Sequence, residues 1–473
     1  MLKNTKLDIF KNKKLLIFCP HQDDEVNIAG GLILALKKYT TEIKIVYSTN
    51  GDYTLDSSVR YREAIASLKT LTISKDDIIF LGFPDNSPDN DTHLYMEEES
   101  FISKKNKLET YTPANFLSYN YKKHGTNLKL NKGNFINNIK EVIEDIKPDI
   151  IICIDYDTHP DHRALSLAFE MALGQILNFS SQYRPLVFKS FAYPTAYKSI
   201  DDFKKNSLAN VKFNKDKIYD FEYQNPYYSS CDIVSFDIRR CVENKFLPFN
   251  KLFRAINKHR SQPIVKRAYR IINANQIYFR REVNNLAFSS ISITSTSGNC
   301  KYLNDFMLFD SSNIMYGDTV KPILDKGICW LEKDDLDKKI TYRFRDGVNI
   351  RKIKIYLSTT SLNKIEDIYI IFNNKKVKAK YVRDNFVITI DNLNIVDVDN
   401  IEILFTARDS IGITEIEILD KVEKLPEDDS LLSDDNTSLS LLNRLIFWFD
   451  DIYILFNRII NKILYLLVFG GRQ

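Results

Sequence analysis

Four hundred and seventy-three residues exceed one ordinary core and point to two or three domains of about 100–200 residues each. With 44% hydrophobic and 27% charged residues the chain can fold as a globular protein, which excludes wholesale disorder. Its 66 Lys and Arg against 62 Asp and Glu leave only +4, without the basic excess that a dedicated nucleic-acid binder needs.

The N-terminus runs from Met1 into lysine-rich sequence with no apolar stretch or cleavage site. No signal peptide is expected, and the cytoplasm is the default compartment. Apolar runs at 15–19, 43–47, 78–81 and 150–154 predict buried strands. Between them, 30–38, 59–71 and 135–146 have helical spacing. Strand–helix alternation of this kind implies a parallel sheet covered on both faces, with ligands beyond the carboxyl ends of its strands. Residues 86–132, rich in Asn, Lys and Tyr, interrupt the pattern and predict either a lid or a poorly ordered insertion. His93 and His124 within it read as solvated loop residues.

From about 283 the texture changes to short, often alternating segments at 290–297, 339–345, 353–357, 386–390, 401–405 and 413–419. These predict an antiparallel β-sandwich and a boundary near 282. Residues 421–438 read as an acidic linker, and 439–469 as one long amphipathic helix with a broad apolar face. Charges at 450, 451, 458 and 462 deny that helix the run of about 20 apolar residues that spanning requires. Three readings stay open for it: peripheral membrane contact, association with a partner or second copy, and docking on its own domains. The expected fold is therefore α/β: a parallel-sheet domain at 1–282, a β-sandwich at 283–420, the linker, and an amphipathic helix at 439–473. The six cysteines form no CxxC pair, so neither a disulfide framework nor a cysteine zinc site is expected; Cys19 and Cys153 read as buried thiols.

Three of the six histidines fall in two polar clusters. Pro20-His21-Gln22-Asp23-Asp24-Glu25 follows the first strand, and His159-Pro160-Asp161-His162 follows the strand at 150–154 and opens a helix. Such charges gain from burial only when paired or coordinating a cation. Two imidazoles and a carboxylate from two loops would make three ligands with an open position, the catalytic form of a zinc site. Capped helix starts, with Asp23, Asp24 and Asp161 facing the dipole, are the alternative; two clusters at two strand exits weigh against it.

The motifs LLIFCPHQDDEVNIAGG, VRYREAIASL, LGFPDN and HPDHRAL, in this order, resemble the PIG-L/LmbE-like family of zinc-dependent N-acetylglucosaminyl deacetylases. The resemblance is close over about 13–175 and looser to about 265. It implies a Rossmann-like parallel sheet with His21, Asp24 and His162 holding Zn²⁺, Fe²⁺ being the other ion such a set accepts. It also implies Asp23 as general base and His159 as the group that polarises the amide carbonyl and stabilises the oxyanion. Gln22 stands where many members have Pro, which bears on loop rigidity and not on ligation. Arg60, Asp85, Asn50, His259 and Gln262 are the candidate substrate contacts, each with a structural alternative: for Arg60 an ion pair with Glu63, for Asp85 and Asn50 a turn, for His259 an exposed helical site. The second half, with 302–305 early and 412–418 last, loosely resembles a galactose-binding-like sandwich.

The function expected is removal of acetyl from an N-acetylated, N-acetylglucosamine-like sugar, free or lipid-linked, in glycan, glycolipid or sugar-conjugate biosynthesis. The rivals are a non-catalytic glycan-binding or scaffold protein of surface-polysaccharide assembly and an amidase acting on a sugar–thiol conjugate. No nucleic-acid partner is expected. The expected location is cytoplasmic, with peripheral contact at the membrane face open through the terminal helix.

Overall fold

The computed structural model describes residues 2–85, 94–95, 98–103, 105–156, 159–180, 182–192, 197–198, 212–213, 232–238, 241, 244, 246–272, 275–308, 327–358, 361, 364–384, 386–421, 423–428 and 441–469. Continuous apolar runs form the centre of the first sheet. They are β2 (Lys14–Cys19), β3 (Glu42–Thr49), β4 (Ile78–Phe83), β5 (Ile150–Ile154) and β6 (Leu186–Ser190). β1 (Leu2–Asn4), β9 (Asp232–Asp237) and β10 (Asn275–Arg281) complete it in the order β1-β9-β10-β6-β5-β2-β3-β4. β7 (Tyr197–Lys198) and β8 (Lys212–Phe213) pair separately.

The predicted parallel pairing holds from β6 through β5, β2 and β3 to β4. It fails at β10, which is antiparallel to both β6 and β9. Asn275 pairs with Asp237, so the connection leaves and re-enters the sheet at the same edge, and a returning strand must reverse. The sheet is mixed for that reason.

Helices α1 (Asp24–Ile28), α2 (Gly30–Ala35), α3 (Ser57–Thr70), α4 (Tyr119–His124), α5 (Lys132–Ile146) and α6 (Pro160–Phe179) lie among the strands in sequence. α7 (Lys251–Ile256) and α8 (Ala268–Ile271) precede β10, and α9 (Leu441–Phe469) ends the described chain. Among the described residues no helix is long and apolar enough to cross a membrane.

Of the two readings of the insertion, a lid or a poorly ordered stretch, poor order does not fit its described residues, which are packed. Phe101, Phe116, Tyr119 and Leu128 lie against the main core. The Tyr111 N–H donates to Gly82 O at 2.9 Å, so the segment covers the edge of β4. Residues 86–93, with His93, lie outside the described residues. His124 is exposed and pairs with Glu141 at 2.6 Å.

Two five-stranded antiparallel sheets follow. The first contains β11 (Ser290–Ser295), β13 (Lys338–Ile350), β15 (Ile365–Phe372), β16 (Lys375–Lys378) and β19 (Ile395–Ala407). The second contains β12 (Cys329–Leu331), β14 (Lys352–Leu357), β17 (Val382–Asp384), β18 (Val387–Ile390) and β20 (Ile411–Leu419). Their inward residues, such as Ile340, Ile353, Ile403 and Ile416, form one core. The start of the expected linker runs beside β1: Lys6 N–H donates to Pro426 O at 3.0 Å and Asp428 N–H to Asn4 O at 2.9 Å.

Buried charge joins the two units. Glu170 on α6 accepts from Lys189 Nζ of β6 at 2.9 Å and from Arg281 of β10 at 2.6 Å. Arg281 reaches onward to Phe306 O at 2.5 Å. Gly174, a turn further along α6, lets the second unit come close, because a Cβ there would stand 2.1 Å from Asp305 O. Replacing Glu170 with Ala removes a buried carboxylate from Arg281 and from Lys189, which keeps Asp155 at 3.5 Å, and loss of one partner of a buried pair costs about 3–5 kcal/mol. We expect a loss of that order in urea unfolding of Glu170→Ala; a change below about 1 kcal/mol would show that the network is not load-sharing.

Candidate metal centre

The site is built where strands end. β2 delivers His21 and the Asp23–Asp24 pair, and β5, its parallel neighbour, leads to His159 and His162. The second loop is set by its own helix start: His159 is the N-cap of α6, Pro160 occupies its first turn, and the Asp161 N–H donates to His159 Nδ1 at 3.2 Å.

Asp24 Oδ2 lies 3.3 Å from His21 Nδ1 and 3.3 Å from His162 Nε2. It also accepts from the His21 N–H at 3.1 Å. The other ring nitrogen of His21 is held by Asp161 Oδ2 at 3.0 Å. The rings of His21 and His159 stand 4.6 Å apart, and those of His159 and His162 are stacked at 4.8 Å. Burial disfavours charge on His21, yet the carboxylates of Asp161 and Asp24 hold its pKa well above the usual imidazole value. Burial also opposes ionisation of Asp24, but His162 and His21 hold it well below the usual carboxylate range. His159 moves the other way: burial, reinforced by His21 and His162, pushes it well down.

Asp23 stands beside this group, and Arg60 on α3 donates to its Oδ1 at 3.1 Å and to Gln22 O at 3.1 Å. Burial raises the Asp23 pKa against the opposing charge of Arg60. Asp85, after β4, is held by the N–H groups of Gly51 at 2.7 Å and Tyr53 at 3.2 Å. Its own N–H donates to Asp52 Oδ1 at 2.8 Å, and the Tyr111 hydroxyl reaches the other Asp52 oxygen. Burial and the nearby Asp85 raise Asp52 to about 6.

Distance alone admits two groups of ligand atoms within 4.8 Å of one another: His21, His159 and His162, and His21, Asp85 and Asp161. Neither includes Asp24. The hydrogen bonds favour Asp24 all the same. His159 Nδ1 takes the Asp161 N–H, Asp85 takes two backbone N–H groups, and Asp161 orients His21. Asp24 alone bridges two imidazoles at 3.3 Å, close to the about 3.3 Å that separates ligands 2.0–2.1 Å from a tetrahedral ion. A carboxylate on the far nitrogen of a ligating histidine is the usual outer partner of such a site. This buried His/Asp group could hold a metal ion.

Three of the expected substrate contacts are spent elsewhere. Asn50 is fully buried; its amide donates to Gly82 O at 3.2 Å and Tyr111 O at 3.0 Å, and its oxygen accepts from Tyr61 at 2.6 Å. His259 is fully buried too, not exposed, and pairs with Glu25 at 2.7 Å. Arg60 is turned to Asp23, and the alternative pair with Glu63 does not form because Glu63 accepts from Ser261 N–H at 2.9 Å and Ser261 Oγ at 2.6 Å. Gln262 donates to Ser261 Oγ at 3.0 Å and lines a groove beside α9, outside the histidine cluster. Asp161 was given no site role by sequence reasoning, which named it only as a first-turn carboxylate in the alternative reading; it is in the first turn of α6 and also holds His21. Its seat between two histidines of one motif was the available signal; first-turn position made it look like a dipole partner.

The sequence profile described as PIG-L: GlcNAc-PI de-N-acetylase matches residues 16–173. No curated protein matches the chain. Among solved structures, N,N'-diacetylchitobiose deacetylase from Pyrococcus horikoshii is 19% identical with a TM-score of 0.33, covering 59% of this chain and 87% of its own. A deacetylase of the teicoplanin biosynthetic pathway is 13% identical with a TM-score of 0.27, covering 57% and 98%. A Clostridium perfringens module solved with GalNAc-β-1,3-galactose is 13% identical with a TM-score of 0.19, covering 27% and 94%. The strand-end motifs and the profile agree on the same stretch, and residues 16–173 are a PIG-L family domain.

Proposed function

We propose that the chain hydrolyses the N-acetyl group of an amino sugar with the help of zinc held by His21, Asp24 and His162. The observation that carries this reading is the buried His/Asp group at one sheet edge with the Asp23 carboxylate at its border. A zinc ion in that set would polarise the amide carbonyl and lower the pKa of nearby water towards about 7.

The chain's own groups supply the rest. Asp23 takes a proton from the attacking water, and Arg60 fixes the carboxylate at 3.1 Å. As the C–N bond breaks, that proton passes to the amine nitrogen, leaving acetate and a free amino sugar. His159 is held neutral by its surroundings, and its Nδ1 accepts the Asp161 N–H, so Nε2 carries the ring proton. An Nε2–H is a donor for the amide oxygen as it gains charge; removal of such a donor costs about 3–4 kcal/mol where it has been tested.

Asp23→Asn is expected to retain the metal and lose about 100-fold or more in acetate release from N-acetylamino sugars. Equal activity in this variant would remove Asp23 from the chemistry. Asp161→Ala is expected to weaken zinc binding by about 10–100-fold in competition with a chelator, because His21 loses the partner on its second nitrogen. Unchanged affinity would assign Asp161 to helix capping alone. Stoichiometric metal with no acetate from any amino sugar would favour another amide-bearing sugar conjugate.

A further inference from the structure

The C-terminal helix α9 is divided lengthwise into three faces. One is docked: Asp450 accepts the Leu247 N–H at 3.0 Å, Tyr453 lies against Phe253 at 5.9 Å between ring centroids, and Asn457 accepts from Asn257 at 2.9 Å. Asn461 continues this face and is buried. The second face is apolar and outward. Trp448, Phe449, Ile452, Leu455, Phe456 and Ile459 are each 44–58% exposed. At 3.6 residues per turn they occupy an arc of about 120°, and the stripe continues to Leu467, which is 76% exposed. The third face carries Arg444, Asp451, Arg458 and Lys462 on roughly the next 40° of circumference, three cations to one anion.

The docked contacts hold the helix along the surface of the first unit, so the apolar stripe is not covered by its own chain among the described residues. A coiled-coil seam is narrower than this arc, being confined to two positions in seven. A wide arc rich in Trp, Phe and Leu suits a flat apolar surface, and cations along its margin suit a negatively charged one. Among the described residues no helix is both long and apolar enough to cross a membrane. Two of the cations, Arg458 and Lys462, also converge with Arg260 on a groove of about 560 Å³ between α9 and residues 260–265. Thr54 and Leu55 form its far wall, in the loop whose Tyr53 N–H holds Asp85.

We propose that α9 seats the protein on an anionic lipid bilayer, its apolar stripe entering the boundary between headgroups and acyl chains and Arg458, Lys462 and Arg260 meeting headgroup phosphates. The binding needs no turnover and stands apart from the chemistry assigned above.

The test is flotation of the full chain with vesicles of phosphatidylcholine alone and of phosphatidylcholine with one-third phosphatidylglycerol. Binding is expected to the anionic vesicles, with a blue shift of Trp emission that is lost in Trp448→Phe, and to fall as salt is raised. Phe456→Glu with Ile459→Glu should lower the bound fraction at least about tenfold, since each loses a buried apolar side chain and buries a charge. Arg458→Glu with Lys462→Glu should abolish the preference for anionic vesicles. All four positions are exposed, and circular dichroism with metal content checks that the variants are folded. No binding to either vesicle would overturn the proposal. So would binding that the variants leave intact, or a stable dimer that Phe456→Glu dissolves while vesicles have no effect. Free inorganic phosphate that competes as well as anionic vesicles would assign the groove to a soluble phosphate and also overturn it.

Discussion

Four ionisable side chains meet at the exits of β2 and β5 with almost no water to solvate them. The side chains of Asp24 and His162 are 6% and 1% exposed, and that of Asp161 is fully buried. A carboxylate so placed is tolerable only if it is paired, and Asp24 is paired twice. His21 answers two carboxylates, one on each ring nitrogen. The arrangement depends on the register of one parallel pair, Leu15 with Ile150 through Phe18 with Cys153, which sets two loops 140 residues apart side by side. Shift that register by one residue and the side chains of each strand change faces, so the buried charges lose one another.

A second rank of polar contacts supports the first. Glu25, next to Asp24, is fully buried and held by His259 beyond α7. Glu63 on α3, three residues after the Arg60 that holds Asp23, is capped by Ser261. The segment from α7 to Ser261 thus underpins both acidic groups that border the centre. The same segment receives α9 through Asn257 and Phe253. Helix docking and site geometry share one piece of chain, which is why the groove beside α9 opens near the loop that carries Asp52 and holds Asp85.

The buried strands were legible because they are continuous apolar runs, and 150–154 was read to the residue. β10 was not legible: it carries two arginines, Arg280 and Arg281, that are buried only because Glu423 and Glu170 receive them. Nothing local in NQIYFRR announces those partners. The insertion was left between a lid and a poorly ordered stretch for a related reason. Its Asn and Lys content suggests solvation, while its order comes from a few aromatics, Phe101, Phe116 and Tyr119, that reach the core. Most of the sandwich strands alternate, so their inward faces could be read; β12, β15, β16 and β17 were not, since their order depends on the strands they pair with.

Residue type at a strand exit says what a side chain can do and not where its bonds are spent. Asn50 and His259 have the chemistry of substrate contacts, and both are consumed inside the protein. What separates holders from actors here is a gradient of exposure. The side chains expected to bind the ion are nearly sealed, His162 at 1%, Asp24 at 6% and His21 at 9%. Arg60, which holds the Asp23 carboxylate, is also 9% exposed. Asp23 and His159, which in the proposed reaction would meet water and an amide, are 18% and 33% exposed. A centre in which positioning groups are buried and proton-handling groups are open lets substrate reach the second set without hydrating the first. His159 stands at the N-cap of α6, directly ahead of the buried Asp161 and His162.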